Sequence, residues 1–382
     1  MPNAIVLGAG MVGSVMAVDL ADDQQFDVTL ADLRPEPLRR AEARSKGRLT
    51  TVQADLSDPE TVAETVGGFD IVLGALPSTM GFRTLEAVID AGKNFCDISF
   101  MAEDPLALDR LARDRGVTAV VDCGVAPGLS NLIAGAAVAR LDECRMIEIH
   151  VGGVPRDPRW PFFYKAAFSP HDVIEEYTRP ARIVQEGRVV VREPLSDRER
   201  VEFAGVGTLE AFNTDGLRSL IGTLKVPCMK EKTLRWPGHA ELMLAFRETG
   251  LFSRDPVEVG GSTVRPLDVT SALMFPKWTY EEGEEDLTVL RVVAEGMKDG
   301  VRTRLTWEMV DSFETSSGTS SMARTTAFPC TIVARRIACG AIEGPGVVPP
   351  EVIGQQGQLP EILEALAARG VRVDARSEPL DK

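Results

Sequence analysis

Ala4-Ile5-Val6-Leu7-Gly8-Ala9-Gly10-Met11-Val12-Gly13 is the stretch that decides the fold. A short apolar strand runs into a G-x-G-x-x-G turn, and a helical run follows to Ala21. In such a turn the first glycine permits the tight reversal and the second lets the backbone approach a pyrophosphate. The third lets helix and strand pack closely. The start of the helix, Met11 and Val12 included, presents free N–H groups to that anion. The stretch therefore predicts a dinucleotide bound at the head of a parallel sheet.

The surroundings agree. A second strand, Asp27 to Ala31, ends at Asp32. An acid at this distance accepts hydrogen bonds from the adenosine ribose hydroxyls and repels a 2′-phosphate, which favours NAD. Arg34 follows closely and keeps NADP open. The first 125 residues alternate strand and helix with short connections. A helix is predicted from Pro35 to Lys46 and a strand from Leu49 to Ala54. Asp55, just beyond that strand, joins the cofactor candidates. Ser57 with Glu60 is expected to form a capping box, and Gly67-Gly68 to stop the helix that follows. Ile71 to Ala75 is a buried strand, Gly81 to Ala91 a helix, and Asn94 to Asp97 a short strand. Asp104-Pro105 begins another helix, Gly116 closes it, and Val117 to Val121 is the sixth strand.

The pattern then changes. Asn131 to Ala139 is helical, and beyond Cys144 the chain turns strand-rich. Ile147–Val151, Ala181–Val184, Val189–Arg192, Leu287–Ala294 and Thr303–Val310 are the expected strands. Helices are predicted at Met322–Ala338 and Pro360–Arg369. The expectation is a Rossmann-type doubly wound parallel sheet with a second α+β domain built on a mostly antiparallel sheet. The acidic run Glu281-Glu282-Gly283-Glu284-Glu285-Asp286 is expected to be a solvated hairpin tip.

Bulk properties narrow the function. A net charge of −15 over 382 residues disfavours nucleic acid and anionic membranes, which need a basic face. No apolar stretch is long enough to span a bilayer, and the N-terminus lacks a signal-peptide pattern, so a cytoplasmic location is expected. The six cysteines form no C-x-x-C pair and are expected to be free thiols. The three histidines show no H-x-x-x-H spacing, and no metal site is predicted.

Ligands of open parallel sheets bind beyond the carboxyl ends of the strands. That rule selects Ala75-Leu76-Pro77-Ser78 after the fourth strand and Asp97-Ile98-Ser99 after the fifth. After the sixth it selects Asp122-Cys123-Gly124-Val125-Ala126-Pro127-Gly128. All three are expected at the nicotinamide end. Capping or loop hydrogen bonds are the competing roles for Asp97 and Asp122.

The fingerprint together with Asp122-Cys123-Gly124-Val125-Ala126-Pro127-Gly128-Leu129-Ser130-Asn131 resembles the saccharopine dehydrogenase superfamily. Tyr164-Lys165-Ala166-Ala167-Phe168-Ser169, Leu209-Glu210-Ala211-Phe212 and Asn213-Thr214-Asp215-Gly216-Leu217 extend the likeness. So do Arg235-Trp236-Pro237-Gly238-His239-Ala240-Glu241 and Ser321-Met322-Ala323-Arg324-Thr325-Thr326. Together they are most similar to the lysine 6-dehydrogenase branch. The resemblance implies NAD-dependent oxidative deamination of L-lysine at its terminal carbon. The product would be 2-aminoadipate 6-semialdehyde, which closes to a cyclic piperideine carboxylate. It also implies that the C-terminal helical segment returns to the first domain. The expected division is 1–125 for the nucleotide, 126–320 for catalysis and subunit contact, and 321–382 for the returning segment. Glutamate-forming saccharopine reductases carry G-L-D-P-G-I-D-H where this chain has Gly124-Val125-Ala126-Pro127-Gly128-Leu129-Ser130-Asn131. Both acids are absent and the histidine is Asn131, which counts against saccharopine turnover.

The reaction sets its own demands. A lysine ε-amine has a pKa of about 10.4, so deprotonation at pH 7 costs about 4–5 kcal/mol. The nitrogen needs its lone pair before hydride can leave the adjacent carbon, so a base must lie near it. Asp97, Asp122, Lys165 and His239 are the candidates. Lys165 has a competing role as a surface lysine lying along an aromatic patch, and His239 as a residue of a helix N-terminus. Substrate contacts are expected from Cys123, Gly124, Val125, Asn131, Tyr164, Asp215 and Arg324. Asp215 competes as a helix cap, Arg324 as a salt-bridge partner, and Cys123 as a packing residue. Rival functions are saccharopine or carboxynorspermidine oxidoreduction, and a non-catalytic NAD-binding regulator. A homodimer or higher homo-oligomer through the second domain is expected.

Overall fold

The computed structural model describes residues 1–22, 25–342 and 344–380. The chain divides into two compact units, Met1–Arg140 with Ala323–Arg372, and Leu141–Met322 with the segment from Val373 on. The first unit alternates β1 (Asn3–Leu7), α1 (Met11–Asp22), β2 (Asp27–Asp32), α2 (Pro35–Arg44), β3 (Leu49–Gln53) and α3 (Pro59–Val66). It continues through β4 (Ile71–Gly74), α4 (Ser78–Asp90), β5 (Asn94–Asp97), α5 (Asp109–Arg115), β6 (Thr118–Val120) and α6 (Leu129–Arg140). The strands pair in parallel in the order β3-β2-β1-β4-β5-β6. The order reverses between β1 and β4, where such sheets open a crevice for ligands. Ile5, Leu7, Val72 and Phe95 are wholly buried in the core on this sheet, which is why these strands read as unbroken apolar runs. The cap of α3 differs from expectation. Asp58, not Ser57, accepts from the Thr61 N–H at 3.0 Å, with Pro59 in the first turn. A proline there lacks only an N–H that would have no helical partner.

The second unit begins with β7 (Glu143–Pro155), α7 (Pro170–Thr178), β8 (Ala181–Gln185), β9 (Arg188–Arg192), β10 (Glu199–Phe203) and β11 (Gly207–Asn213). Then come α8 (Leu220–Thr223), β12 (Cys228–Arg235), α9 (His239–Glu248), β13 (Val257–Val259) and β14 (Ser262–Val264). It ends its main run with α10 (Pro266–Trp278), β15 (Asp286–Lys298) and β16 (Val301–Ser312). The main sheet runs β10-β11-β12-β7-β15-β16; only β12 and β7 pair in parallel. Strand β12, Cys-Met-Lys-Glu-Lys-Thr-Leu-Arg, was not foreseen, because its charges mask it. Glu231, Lys232 and Arg235 are buried despite them. Nothing in local periodicity announces a strand whose charged side chains are held by partners elsewhere in the fold.

The tail corrects two boundaries. Helix α11 (Ser321–Ala338) joins the first unit from Ala323, and β17 (Gly346–Val348) adds a seventh parallel strand beside β6. Helices α12 (Pro350–Gln355) and α13 (Leu359–Ala368) stay in that unit, but β18 (Asp374–Pro379) pairs with β16 in the second sheet. The returning segment is thus neither wholly helical nor confined to one unit. The break expected at Val125 also lies too early, since α6 belongs to the first unit. Packing explains this. A Cβ on Gly135 would lie 2.0 Å from the Glu351 carbonyl oxygen, and one on Gly354 would lie 2.0 Å from that of Leu132. Glycines let α6 and α12 touch backbone to backbone.

Candidate active site

The turn after β1 is built as its glycines require. Gly8 has φ +101°, and a Cβ there would lie 2.6 Å from the Ala75 carbonyl oxygen. A Cβ on Gly13 would lie 1.9 Å from the Gly8 carbonyl oxygen. A Cβ on Gly10 would meet nothing within 4 Å. Gly8 and Gly13 are therefore glycines for internal contact, whereas Gly10 leaves the outer surface of the turn open beside Met11 and Val12 at the start of α1. This arrangement fits a dinucleotide pyrophosphate on the helix N-terminus. Ala75, Leu76 and Pro77 form the neighbouring edge, with Ala75 donating to the Leu7 carbonyl at 2.9 Å.

Asp32 ends β2 and ties this turn together. One carboxylate oxygen accepts from the Ala9 N–H at 2.8 Å. The other accepts from the Arg34 N–H at 2.8 Å and its Nε at 3.3 Å. The acid expected at the ribose and the cation that keeps NADP open thus sit side by side. Asp55 lies exposed beyond β3 and accepts from the Ser57 N–H and hydroxyl at 3.0 and 2.7 Å; these bonds lower its pKa.

At the carboxyl ends of β5 and β6 the acids are buried. Asp97 accepts from the Ser99 hydroxyl at 2.9 Å and its N–H at 3.1 Å. A Cβ on Gly74 would lie 2.2 Å from its carboxylate, so the neighbouring strand must be glycine there. Burial pushes the Asp97 pKa up to about 7, against the pull of the Ser99 bonds. Asp122 is buried in the left-handed conformation at φ +51°. The loop after it is pinned by Cys123 N–H to the Asp97 carbonyl at 2.8 Å and by Leu129 N–H to the Gly124 carbonyl at 2.9 Å. Cys123, Cys96 and Cys330 are buried thiols with raised pKa values. For Cys123 the Cys330 contact is the largest cause, and for the other two it is burial. None is poised as a thiolate, which fits packing better than nucleophilic work.

The second unit holds another polar group of residues. His239 opens α9 and is wholly buried. Its Nδ1 lies 2.8 Å from the Phe162 carbonyl and its Nε2 2.8 Å from the Tyr177 hydroxyl. A carbonyl only accepts, so Nδ1 carries the proton and Nε2 accepts from Tyr177. Burial, reinforced by Arg235, drives its pKa down to about 3. With both nitrogens engaged and its basicity lost, the geometry does not support His239 as the general base. Tyr164 stacks against it at 4.8 Å, meets Trp278 edge-on at 5.1 Å, and lies under the Arg235 guanidinium at 4.6 Å. Arg235 is buried and ion-paired with Glu176. That pair is not visible in the sequence, since Glu176 is one of several acids in the amphipathic helix α7 and lies far along the chain from Arg235.

Lys165 is not a free surface lysine. It is mostly covered, donates to the Thr279 carbonyl at 3.0 Å and pairs with Glu284. The acidic run is therefore not simply a solvated tip. Glu284 also faces Arg159 at 3.5 Å, Glu285 pairs with Arg156 at 2.6 Å, and buried Asp286 accepts from the N–H groups of Ser321 and Met322 at the start of α11. Asp215 grips Arg182 through two side-chain bonds of 2.9 and 2.8 Å and a third to its N–H at 3.0 Å, which leaves little for a substrate ammonium. Arg324 is buried in the first unit and donates to the Arg369 carbonyl at 3.1 Å. Among the described residues, Glu148, His150 and Glu199 form the one group with metal-ligand chemistry. Lys230 sits 2.8 Å from the Glu148 carboxylate and Lys232 pairs with Glu199, so this set is an ion-pair network. No helix of the described residues is long and apolar enough to cross a membrane.

Comparisons with known proteins address the whole arrangement. Residues 4–120 match the saccharopine dehydrogenase NADP binding domain and residues 124–371 the saccharopine dehydrogenase C-terminal domain. The chain is 23% identical to the NADP-dependent, L-glutamate-forming saccharopine dehydrogenase of Schizosaccharomyces pombe, over 98% of each chain. It is 24% identical to the carboxynorspermidine synthase of Vibrio cholerae, over 78% of each. The mitochondrial alpha-aminoadipic semialdehyde synthase of Mus musculus is 22% identical over 98% of this chain, which spans 48% of that longer protein. The apo L-Glu-forming saccharopine dehydrogenase of Saccharomyces cerevisiae superposes with a TM-score of 0.81 at 18% identity, over 99% of this chain and 100% of that one. At that identity the superposition shows a shared fold over essentially the whole of both chains. The chain belongs to the saccharopine dehydrogenase family.

Proposed function

We propose that this chain is a nicotinamide-nucleotide-dependent dehydrogenase of an amino-acid amine, with the ε-amine of L-lysine as its substrate. The reaction balances as R–CH2–NH3⁺ + NAD(P)⁺ + H2O → R–CHO + NH4⁺ + NAD(P)H + H⁺. The bound nucleotide supplies the hydride acceptor. The chain's own residues must take a proton from the amine, exclude stray water and later activate one water.

The observation that supports this reading best is Asp97. A carboxyl with a pKa near 7, at the carboxyl end of a strand beside the sheet's switch point, can take up and release a proton at neutral pH. An ordinary carboxylate is too weak a base for an ammonium, and burial narrows that gap. The Ser99 bonds hold it in one orientation. The loop that follows, with Val125, Ala126 and Ser130 where saccharopine reductases carry G-L-D-P-G-I-D-H, favours a smaller substrate over saccharopine. The alignment with the fission-yeast enzyme is longer than this chain, so that relative also carries insertions absent here.

NAD is the proposed cofactor because Asp32 ends β2, the position at which an acid pairs with the adenosine ribose hydroxyls in such sheets. Arg34 beside it and the NADP-dependent relatives make NADP the second reading. The test is direct. Reduced nicotinamide is followed with NAD or NADP against L-lysine, saccharopine and carboxynorspermidine. Lysine with NAD should give the highest kcat/KM. A higher value with saccharopine would replace the substrate. Nucleotide binding without turnover of any amine would favour the regulator.

A further inference from the structure

Asn131 stands in the first turn of α6 and is wholly buried. Its Oδ1 accepts from the Gly128 N–H at 3.3 Å and from the Ser130 hydroxyl at 2.9 Å. These two donors orient the amide, because a carbonyl oxygen must face them. Its Nδ2 is consequently turned away, and it finds no acceptor in the protein. A buried N–H donor without an acceptor has given up its hydrogen bond to water with no replacement. Such a group is conspicuous beside its bonded neighbours. Gly124, Leu129 and Ser130 N–H groups all find carbonyls within the loop, and Cys123 N–H reaches Asp97.

The position gives the orphan donor a meaning. The loop leaves the carboxyl end of β6, the edge at which ligands of parallel sheets bind, and Asp97 anchors it. A helix N-terminus adds partial positive charge, which favours an anion. An amide N–H cannot accept an ammonium but can donate to a carboxylate oxygen. We propose that Asn131 Nδ2 and the N-terminal turn of α6 form a carboxylate subsite, which binds the substrate's carboxylate while its amine is oxidised. This deepens the proposed function and rests on that reading for the substrate's class. A neutral amide takes the place of the histidine in the reductase pattern, and so binds a carboxylate without adding a titrating group beside the reacting amine.

The test compares the wild-type chain with Asn131→Asp and Asn131→Leu. Affinity for L-lysine and for cadaverine, the same amine without its carboxylate, is measured by calorimetry with reduced nucleotide present, and KM with oxidised nucleotide. Loss of a donor to a charged acceptor corresponds to about a 10- to 100-fold effect. Both variants should weaken lysine by that factor, leave cadaverine within about twofold, and leave nucleotide affinity unchanged. Asn131→Leu should lower Tm, since it strands the buried Gly128 N–H and Ser130 hydroxyl that Asn131 Oδ1 accepts from, whereas Asn131→Asp keeps that acceptor. Unchanged lysine affinity in variants that still bind nucleotide would overturn the subsite and leave the amine dehydrogenase standing. If saccharopine proves to be the amine oxidised, the lysine reading falls, and the same variants are measured on saccharopine. An unchanged KM there would overturn the subsite as well. Should Asn131→Leu fail to fold, Asn131→Asp, nearly isosteric, decides alone.

Discussion

Two buried regions carry ionisable groups in this molecule, and burial drives them in opposite directions. At the strand ends of the first unit, Asp97 is pushed up to about 7. In the aromatic nest of the second unit, His239 is driven down to about 3. The physics is one: low dielectric penalises the charged form of each. The consequence differs. An acid so treated becomes a usable base near neutral pH, whereas a histidine so treated becomes an inert hydrogen-bonding strut. Of the two groups, the carboxyl is the one that burial leaves titrating near neutral pH.

Replacing each group is the sharpest way to break this contrast. Asp97→Asn should lower kcat/KM for the amine by about 10²–10⁴-fold and remove the limb of the pH–rate profile near 7. Its stability signature has a definite sign. The folded pKa lies well above that of an ordinary aspartate, so the protonated carboxyl stabilises the fold at low pH. That contribution is lost as pH rises through about 7. Asp97→Asn should flatten this part of the Tm–pH curve and leave the part due to Glu231, whose burial likewise raises its pKa to about 7. A variant with the wild-type pH–rate profile would break the assignment.

Gly13→Ala tests whether the turn is as tight as its geometry. The added Cβ meets a carbonyl oxygen 1.9 Å away, so packing strain of about 1–3 kcal/mol is expected, with nucleotide binding lost in calorimetry. Gly10→Ala, in open space, should keep the Tm and weaken only nucleotide binding. His239→Gln should cost about 1–3 kcal/mol by urea denaturation, through the stranded Phe162 carbonyl and Tyr177 hydroxyl. Its pH–rate profile should keep the wild-type shape. The sign is opposite to that of Asp97: the neutral imidazole stabilises above its ordinary pKa, and the contribution fades as pH falls towards about 3. Asp32→Ala is the mildest change. It should weaken NAD by about tenfold and NADP less. Equal losses would remove the basis for the NAD preference.

Much of the first unit was legible because its signals are local. Glycine spacing, apolar strands of four or five residues and turn residues each act over a few neighbours, and Gly116 in its left-handed cap at φ 69° is one such case. The second unit was less legible. Strand β12 carries charges whose partners, Glu176 for Arg235 and Glu199 for Lys232, lie on distant segments. The seventh strand, β17, follows β6 in the sheet only after more than two hundred intervening residues, and three residues carry no periodicity of their own. Lys165 was singled out by motif, but its partner Glu284 was hidden in a run that looked like solvated surface.

The amino-acid sequence by itself determined the nucleotide turn, the succession of the first six strands along the chain and the strand ends at which chemistry belongs, because steric and hydrogen-bonding rules of short range dictate them. Only the tertiary structure decided which titratable groups can act. Proton affinity depends on how much water remains and which charges and donors lie nearby, and those neighbours are brought together by the fold from all along the chain.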